Sequence, residues 1–143
     1  MDVKRLVIGT VVGTVVLYAV GELLWGMLFA DFFEANTGSA TGVSREEYIL
    51  WSLVLGELLY ALAINLGLEL QQGTKTIATG LIVGAVIGAL AWGIADFTHY
   101  GVNNVRNLTA TVADVVLEGV RGGVTGAIVV TVLGFVGSGR APT

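Results

Sequence analysis

Residues 48–70 read YILWSLVLGELLYALAINLGLEL, an apolar run that is long enough to cross a bilayer as one helix and that carries a carboxylate, Glu57, in its interior. Glu57 lies nine residues from one end of this run and thirteen from the other. A glutamate side chain is too short to reach the interface comfortably from that depth, and an unpartnered charge inside a membrane costs several kcal/mol. We therefore expect Glu57 to face the protein interior and to have a structural or functional role there.

The segment before this run carries a helix-start signal. Ser44-Arg-Glu-Glu47 has the capping-box pattern, in which a serine and a glutamate three residues later satisfy free backbone donors at a helix N-terminus. The pattern predicts that the helix begins here.

Three further apolar runs, at residues 6–30, 76–97 and 108–136, bring the number of candidate membrane spans to four. The composition agrees, because 55% of the residues are hydrophobic and only 13% are charged, whereas soluble domains have roughly 25% charged residues. The mean hydropathy is +0.83. The sequence predicts an all-α fold, an integral membrane four-helix bundle that forms a single transmembrane domain over residues 1–143.

Several classes of protein and of site are excluded or disfavoured. The chain has no cysteine, so disulfides, thiolate catalysis and Cys-ligated clusters are excluded, and the net charge of −4 argues against nucleic acid as a partner. A single histidine cannot supply bis-His haem ligation, and Asp96-Phe-Thr-His99 is only a weak echo of a di-iron motif. No phosphate loop or zincin motif is present. We expect no cofactor and no metal site, and the sequence identifies no catalytic residue.

The first apolar run follows Lys4 and Arg5 and could be mistaken for a signal peptide. It exceeds the 7–15 apolar residues typical of such peptides and contains Glu22, so we expect it to be a membrane span. Basic residues in the connections predict the orientation: four at one side, Lys4, Arg5, Lys75 and Arg140, and two at the other, Arg45 and Arg106. The count places both termini in the cytoplasm. We expect the protein to lie in the cytoplasmic membrane of a prokaryote.

Acidic residues share helix faces with aromatic or basic residues in all four runs, because residues three, four or seven apart lie on one side of a helix. With the predicted orientation, all of them fall in the outer half of the membrane. If these faces converge, four carboxylates surround one arginine, and some must be protonated, bind a cation or meet water. The candidate pocket residues are Glu22, Trp25, Glu57, Tyr60, Trp92, Asp96, His99, Asp114, Glu118 and Arg121.

Structural interpretations also exist for most of these residues. Asp96 and His99 could simply end a helix in the headgroup region, and Thr111-Val-Ala-Asp114 fits a capping box, so that Asp114 could be a local cap. Glu118 could do no more than neutralise Arg121 on the same helix. The tryptophans near helix ends are typical of interface anchors, which applies to Trp25, Trp51 and Trp92.

Glycines recur every four residues in three of the runs. Small residues at this spacing let helix backbones approach closely, either within one chain or between protomers. A chain of this size with such faces favours a homo-oligomer, or docking to a larger membrane complex. The pairs are Gly9 with Gly13, Gly80 with Gly84 and Gly88, Gly119 with Gly123, and Gly122 with Gly126.

Several blocks of the sequence resemble a family of small predicted bacterial membrane proteins of unknown function. They are Glu22-Leu-Leu-Trp25 followed by Phe33, Leu58-Leu-Tyr60-Ala-Leu62, Trp92-Gly-Ile-Ala-Asp96-Phe-Thr98, and Leu108-Thr109-Ala-Thr111-Val-Ala-Asp114. The resemblance covers almost the whole chain. It implies a four-helix membrane protein and supplies no activity. The residues that match the family pattern are Glu22, Trp25, Asp96, Thr98, Thr109, Thr111 and Asp114.

Three classes of function remain open. The first is a protein that binds or transports a cation, a protonated amine or a small amphiphile in an outward-facing acidic and aromatic pocket. The second is a structural or accessory subunit that packs against another membrane protein or a pigment, with acids that only orient the helices. The third is a membrane-embedded acid-base enzyme acting on a lipid-like substrate.

Overall fold

The computed structural model describes residues 2–138, which form helices and connecting loops without a β-strand. The first helix, α1, continues directly into a π-helical segment before a short helix, α2. Three long helices follow. The bounds are α1 Val3–Gly21, the π-helical segment Glu22–Leu28, α2 Ala30–Ala35, α3 Leu50–Leu70, α4 Ile77–Val102 and α5 Leu108–Ser138.

Four of these helical stretches are long and apolar enough to cross a membrane, Val3–Leu28, Leu50–Leu70, Ile77–Val102 and Leu108–Val136. The prediction of an all-helical chain with four candidate spans is therefore confirmed. Large apolar side chains point outward, as on α1, where Val7, Val11 and Val15 are each more than half exposed. Such an exterior is stable in lipid, whose hydrocarbon chains replace the apolar interior of a soluble protein.

The predicted capping box before α3 is wrong. The helix begins at Leu50, its N-cap residue Ile49 makes no side-chain hydrogen bond, and residues 41–49 are not helical. Ser44 therefore lies six residues ahead of the first helical residue and cannot reach its free backbone donors. The first connection instead pairs with the third, because the backbone N–H of Gly38 donates to Val105 O at 2.7 Å.

Helices α4 and α5 pack backbone to backbone along their glycines. Gly80, Gly84 and Gly88 are buried on α4. A methyl group at Gly84 would overlap the carbonyl oxygen of Gly122, and one at Gly80 would overlap that of Gly126. For these glycines, the alternative left open by the sequence is settled in favour of packing within one chain.

Helices α1 and α3 pack through the other predicted pair of small residues. A methyl group at Gly9 would overlap the side-chain oxygen of Asn65, and one at Gly13 would press against Ala61. The buried apolar core lies alongside, in the half of the bundle nearer the chain termini: Leu17, Ala61, Ile64, Leu68, Val129 and Leu133. The buried charged residues lie in the other half: Asp114, Glu118 and Arg121.

We predict that Gly84→Ala destabilises the fold by about 1–3 kcal/mol, the usual cost of inserting a methyl group into a filled contact. Gly56→Ala is the matched control, because Gly56 lies within α3 and has nothing near its Cβ direction. The measurement is unfolding of the purified protein in a denaturing detergent titration. Equal unfolding midpoints for the two variants would contradict the proposed backbone contact.

Candidate functional site

A single buried guanidinium joins three of the long helices. Arg121, on α5, is 5% exposed. Its Nη1 donates to Glu118 Oε1 at 3.0 Å on the same helix, its Nη2 donates to Glu57 Oε1 on α3, and its Nε donates to the Leu17 carbonyl oxygen on α1 at 2.9 Å. We call Arg121, Glu57, Glu118 and Tyr60 the Arg121 cluster.

Aromatic rings enclose this guanidinium. The Arg121 Cζ atom lies 5.6 Å from the ring centre of Trp25 and 5.8 Å from that of Tyr60, distances at which a cation is attracted to the face of a ring. The Tyr60 hydroxyl also donates to the backbone carbonyl oxygen of Glu118 at 3.1 Å. The rings pack against the guanidinium and help to fix the position of Arg121.

The Arg121 cluster holds more negative than positive charge. Two carboxylates, Glu57 and Glu118, share one guanidinium. The second oxygen of each, Oε2, is buried and has no hydrogen-bond partner among the described residues. Glu118 is only 3% exposed, so water does not readily reach this oxygen. A buried carboxylate oxygen without a donor is costly, and its charge is relieved by a proton, a cation or an ordered water.

A second ion pair lies nearer the helix ends. Asp114, 3% exposed, accepts from Trp25 Nε1 at 2.5 Å and from Arg106 Nη1 at 2.6 Å. Arg106 in turn lies over the ring of Phe33, 5.3 Å from its centre. We call Asp114, Trp25, Arg106 and Phe33 the Asp114 cluster. Trp25 contacts both clusters and therefore connects them.

The interpretation of Asp114 as a helix cap is wrong. Helix α5 begins at Leu108, and one of its free donors is satisfied by Asn107, whose side-chain oxygen accepts from the Ala110 N–H at 2.9 Å. Asp114 therefore lies past the first turn, where no free backbone donor remains for it to cap. Likewise Glu118 and Arg121 do pair on one helix, but Arg121 also pairs with Glu57, so the pair is not merely local.

A cleft of about 300 Å³ opens beside the Asp114 cluster. It is lined mainly by the last turns of α4 and by the connection to α5, through Trp92, Asp96, His99, Tyr100, Asn103, Val105, Arg106 and Thr111. Helix α4 extends to Val102, five residues beyond the predicted end at residue 97, so Asp96 lies within the helix and His99 in its last turn.

Asp96 is the acidic group of this cleft. Its Oδ2 is buried without a hydrogen-bond donor among the described residues, and its carboxyl lies near enough to Asp114 to interact with it. Because Arg106 both lines the cleft and pairs with Asp114, it is shared between the cleft and the Asp114 cluster. Through Arg106, the cleft and the buried acids form one connected polar region.

Helix α5 carries a continuous polar face. Its members follow one another at intervals of three or four residues and therefore lie on one side of the helix. They are all nearly inaccessible to solvent: Thr111, Asp114, Glu118, Arg121 and Thr125. At 1.5 Å per residue this face extends for about 21 Å. It starts at the cleft and passes both clusters.

Glu22 does not join this arrangement. It is exposed, and no ion pair among the described residues includes it. The expected common face of Tyr18, Glu22 and Trp25 assumed α-helical spacing, whereas residues from Glu22 onward are π-helical. A π-helix has wider turns than an α-helix, so it changes which residues lie above one another. Trp25 consequently faces the bundle and Glu22 does not.

Arg106 and Phe33 belong to the site but are not among the residues that the sequence predicts for it. Arg106 was assigned only to a connection, although it is the one basic residue in the loop before α5. Arg106 lies two helical turns before Asp114, an aspartate inside an apolar run. A lone basic residue in that position is the signal that could have identified it. Phe33 lies on α2, a helix that the sequence analysis did not predict. Trp51, a predicted interface anchor, is 70% exposed at the start of α3, as that role requires.

Comparison with protein-family models, with curated proteins and with solved structures finds no match. Within residues 2–138, no group of three or more histidine or acidic side chains is arranged to hold a metal ion. The arguments on function therefore rest on the geometry of the two clusters and the cleft.

We predict that Arg121→Gln destabilises the protein by about 3–5 kcal/mol, because it leaves two buried carboxylates without their cation. Replacing Glu57 and Glu118 by glutamine in the same chain should recover much of this loss, since the buried charge is then gone. Unfolding midpoints in detergent measure both effects.

Arg45→Gln is the control for Arg121→Gln. Arg45 is exposed in the first connection, and a surface substitution of this kind changes stability by no more than about 0.5 kcal/mol. If the triple variant were no more stable than Arg121→Gln alone, the two glutamates would not be ionised partners of Arg121.

Proposed function

We propose that this protein binds a small monovalent cation, either a metal ion or a protonated amine, at the Arg121 cluster within the membrane. The observation that carries the proposal is the pair of buried oxygens, Glu57 Oε2 and Glu118 Oε2, that have no donor among the described residues while only one guanidinium serves both carboxylates. One further positive charge balances the cluster.

The net charge of the Arg121 cluster favours a ligand with one positive charge. A divalent ion would leave the cluster with a net positive charge, whereas a monovalent ion or an ammonium group leaves it neutral. Carboxylate oxygens are suitable ligands for hard cations and good acceptors for an ammonium group. The rings of Trp25 and Tyr60 border the cluster and add a favourable surface for an organic cation.

The polar face of α5 supports a route to this site. A ligand entering the cleft first meets Asp96 and His99, and then Asp114, one helical turn before Glu118. From Asp114 to Glu118, the next carboxylate lies about 6 Å further along the axis of α5. Such a graded series of acids attracts cations into a low-dielectric interior. Passage across the membrane, rather than binding alone, is part of the same proposal.

We further propose that both chain termini lie in the cytoplasm of a prokaryote, with the cleft facing outward. The basis is the distribution of basic residues, since Arg5 and Lys75 flank the helix ends opposite the cleft. Arg140, which contributed to the count, lies outside the described residues. The resemblance to small bacterial membrane proteins agrees with this location and adds no activity.

We expect Glu118→Gln to abolish cation-dependent stabilisation of the purified protein. The measurement is the thermal unfolding temperature in sodium, potassium or ethylammonium chloride, at constant ionic strength set with a bulky quaternary ammonium salt. A ligand at 100 times its Kd stabilises the folded state by about 2.7 kcal/mol. The amide keeps the shape of the side chain and removes its charge, so the fold should persist.

Glu46→Gln is the matched control, because Glu46 is exposed in the first connection and belongs to neither cluster. It should respond to cations as the wild type does. The proposal fails if no cation stabilises the wild-type protein, or if Glu118→Gln responds as strongly as the wild type. A proton bound to Glu118 would then be the explanation for the unpaired oxygen.

The orientation is tested by single cysteines, since the chain has none of its own. Asn103 and Gln72 are exposed and lie at opposite ends of the bundle. We expect Asn103→Cys to react with a membrane-impermeant maleimide in intact cells, and Gln72→Cys to react only after permeabilisation. The reverse labelling pattern would place the cleft in the cytoplasm.

One observation favours the accessory-subunit alternative. Glu22 lies within a candidate span, six residues from its end at Leu28, and is exposed on the outside of this chain. A carboxylate facing lipid is costly, whereas one facing a second membrane protein or a second copy can be paired. Glu22→Gln should therefore leave the isolated protein folded and weaken any complex isolated from membranes.

A further inference from the structure

A second cleft of about 300 Å³ lies at the end of the bundle opposite the Asp114 cluster. It is formed where α1 begins, α3 ends and α5 approaches its last turns. The residues that matter for its chemistry are Arg5, Leu68, Glu69, Lys75, Val130 and Leu133. None of them belongs to the Arg121 cluster or to the Asp114 cluster, so this cleft is independent of the proposed cation site.

The cleft has one positive charge in excess. Lys75 Nζ and Glu69 Oε1 lie 2.8 Å apart, and both side chains are about three-quarters buried. Arg5 has no such carboxylate partner within residues 2–138. Its Nη1 donates to the Leu133 carbonyl oxygen at 3.0 Å, and this is the one hydrogen bond of its side chain among the described residues. A guanidinium has five N–H donors, so most of the Arg5 donors remain available for a further acceptor.

The floor of the cleft is apolar and its rim is at the level of the headgroups. Leu68 and Leu133 are almost fully buried beneath it. Arg5 is the third residue of α1, and Lys75 comes two residues before α4 begins at Ile77. Both cationic groups therefore lie within one turn of the ends of membrane-spanning helices. An occupant meets positive charge at the membrane surface and hydrocarbon just below it.

We propose that this cleft binds the headgroup of an anionic glycerophospholipid, with the phosphate on Arg5 and Lys75. Guanidinium groups bind phosphate oxygens through paired N–H donors, and basic pockets between membrane helices suit anionic headgroups. The apolar floor favours a lipid over free phosphate, because it accommodates the upper part of an acyl chain. The surplus positive charge favours an anionic headgroup over a zwitterionic one.

The test is the thermal unfolding temperature of the full chain in detergent with dioctanoyl phosphatidylglycerol, dioctanoyl phosphatidylcholine or inorganic phosphate. We expect phosphatidylglycerol to stabilise the wild type more than the other two do. Arg5→Gln and Lys75→Gln should each weaken the apparent affinity about fivefold, the value of one basic group near a membrane surface. Arg45→Gln changes the net charge equally and should bind phosphatidylglycerol as the wild type does.

Arg5→Lys keeps the positive charge and removes the planar guanidinium group. It therefore separates loss of binding from loss of the bond to Leu133. It should retain part of the phosphatidylglycerol response. Equal stabilisation by phosphatidylcholine would overturn the preference for an anionic lipid, and equal stabilisation by inorganic phosphate would overturn the lipid itself. An undiminished response in both Arg5→Gln and Lys75→Gln would place the binding elsewhere.

Discussion

The four helical stretches that are long and apolar enough to cross a membrane depend on one nearly inaccessible guanidinium. Arg121 donates to Leu17, Glu57 and Glu118 on three different helices, and no other described side chain joins so many elements. In a bilayer the hydrophobic effect does not hold helices together, so polar bonds and close packing must do so. The glycine contact between α4 and α5 provides the packing, and Arg121 attaches α1 and α3 to that pair.

This division explains the two halves of the bundle. Near the termini, the helices are held by apolar side chains such as Ile64 and Val129. In the opposite half, charges replace them, at the cost of burying carboxylates that have no complete set of partners. A protein that needed only stability would gain by replacing such charges with apolar residues of similar volume. The retained charge imbalance is therefore the strongest indication of function in the molecule.

Much of the fold was predictable because long apolar runs and helical spacing are local properties. The depth of Glu57 predicted an inward carboxylate, and the three- and four-residue spacing of Asp114, Glu118 and Arg121 placed them on one face. The failures involve structure that local patterns do not encode. A π-helical segment after Gly21 changes which residues lie above one another, so Glu22 and Trp25 do not share a face. Pairing of the first and third connections left Ser44 without a helix to cap.

The order in which the chain is made gives the bond between Glu57 and Arg121 a consequence for membrane insertion. The two residues are separated by 64 positions, with Glu57 first. At about 5–20 residues per second, Arg121 is synthesised roughly 3–13 s after its partner. During that interval α3 carries an uncompensated carboxylate. Arrival of the last helix brings Arg121 to Glu57, so the final span acts as the closing step of assembly.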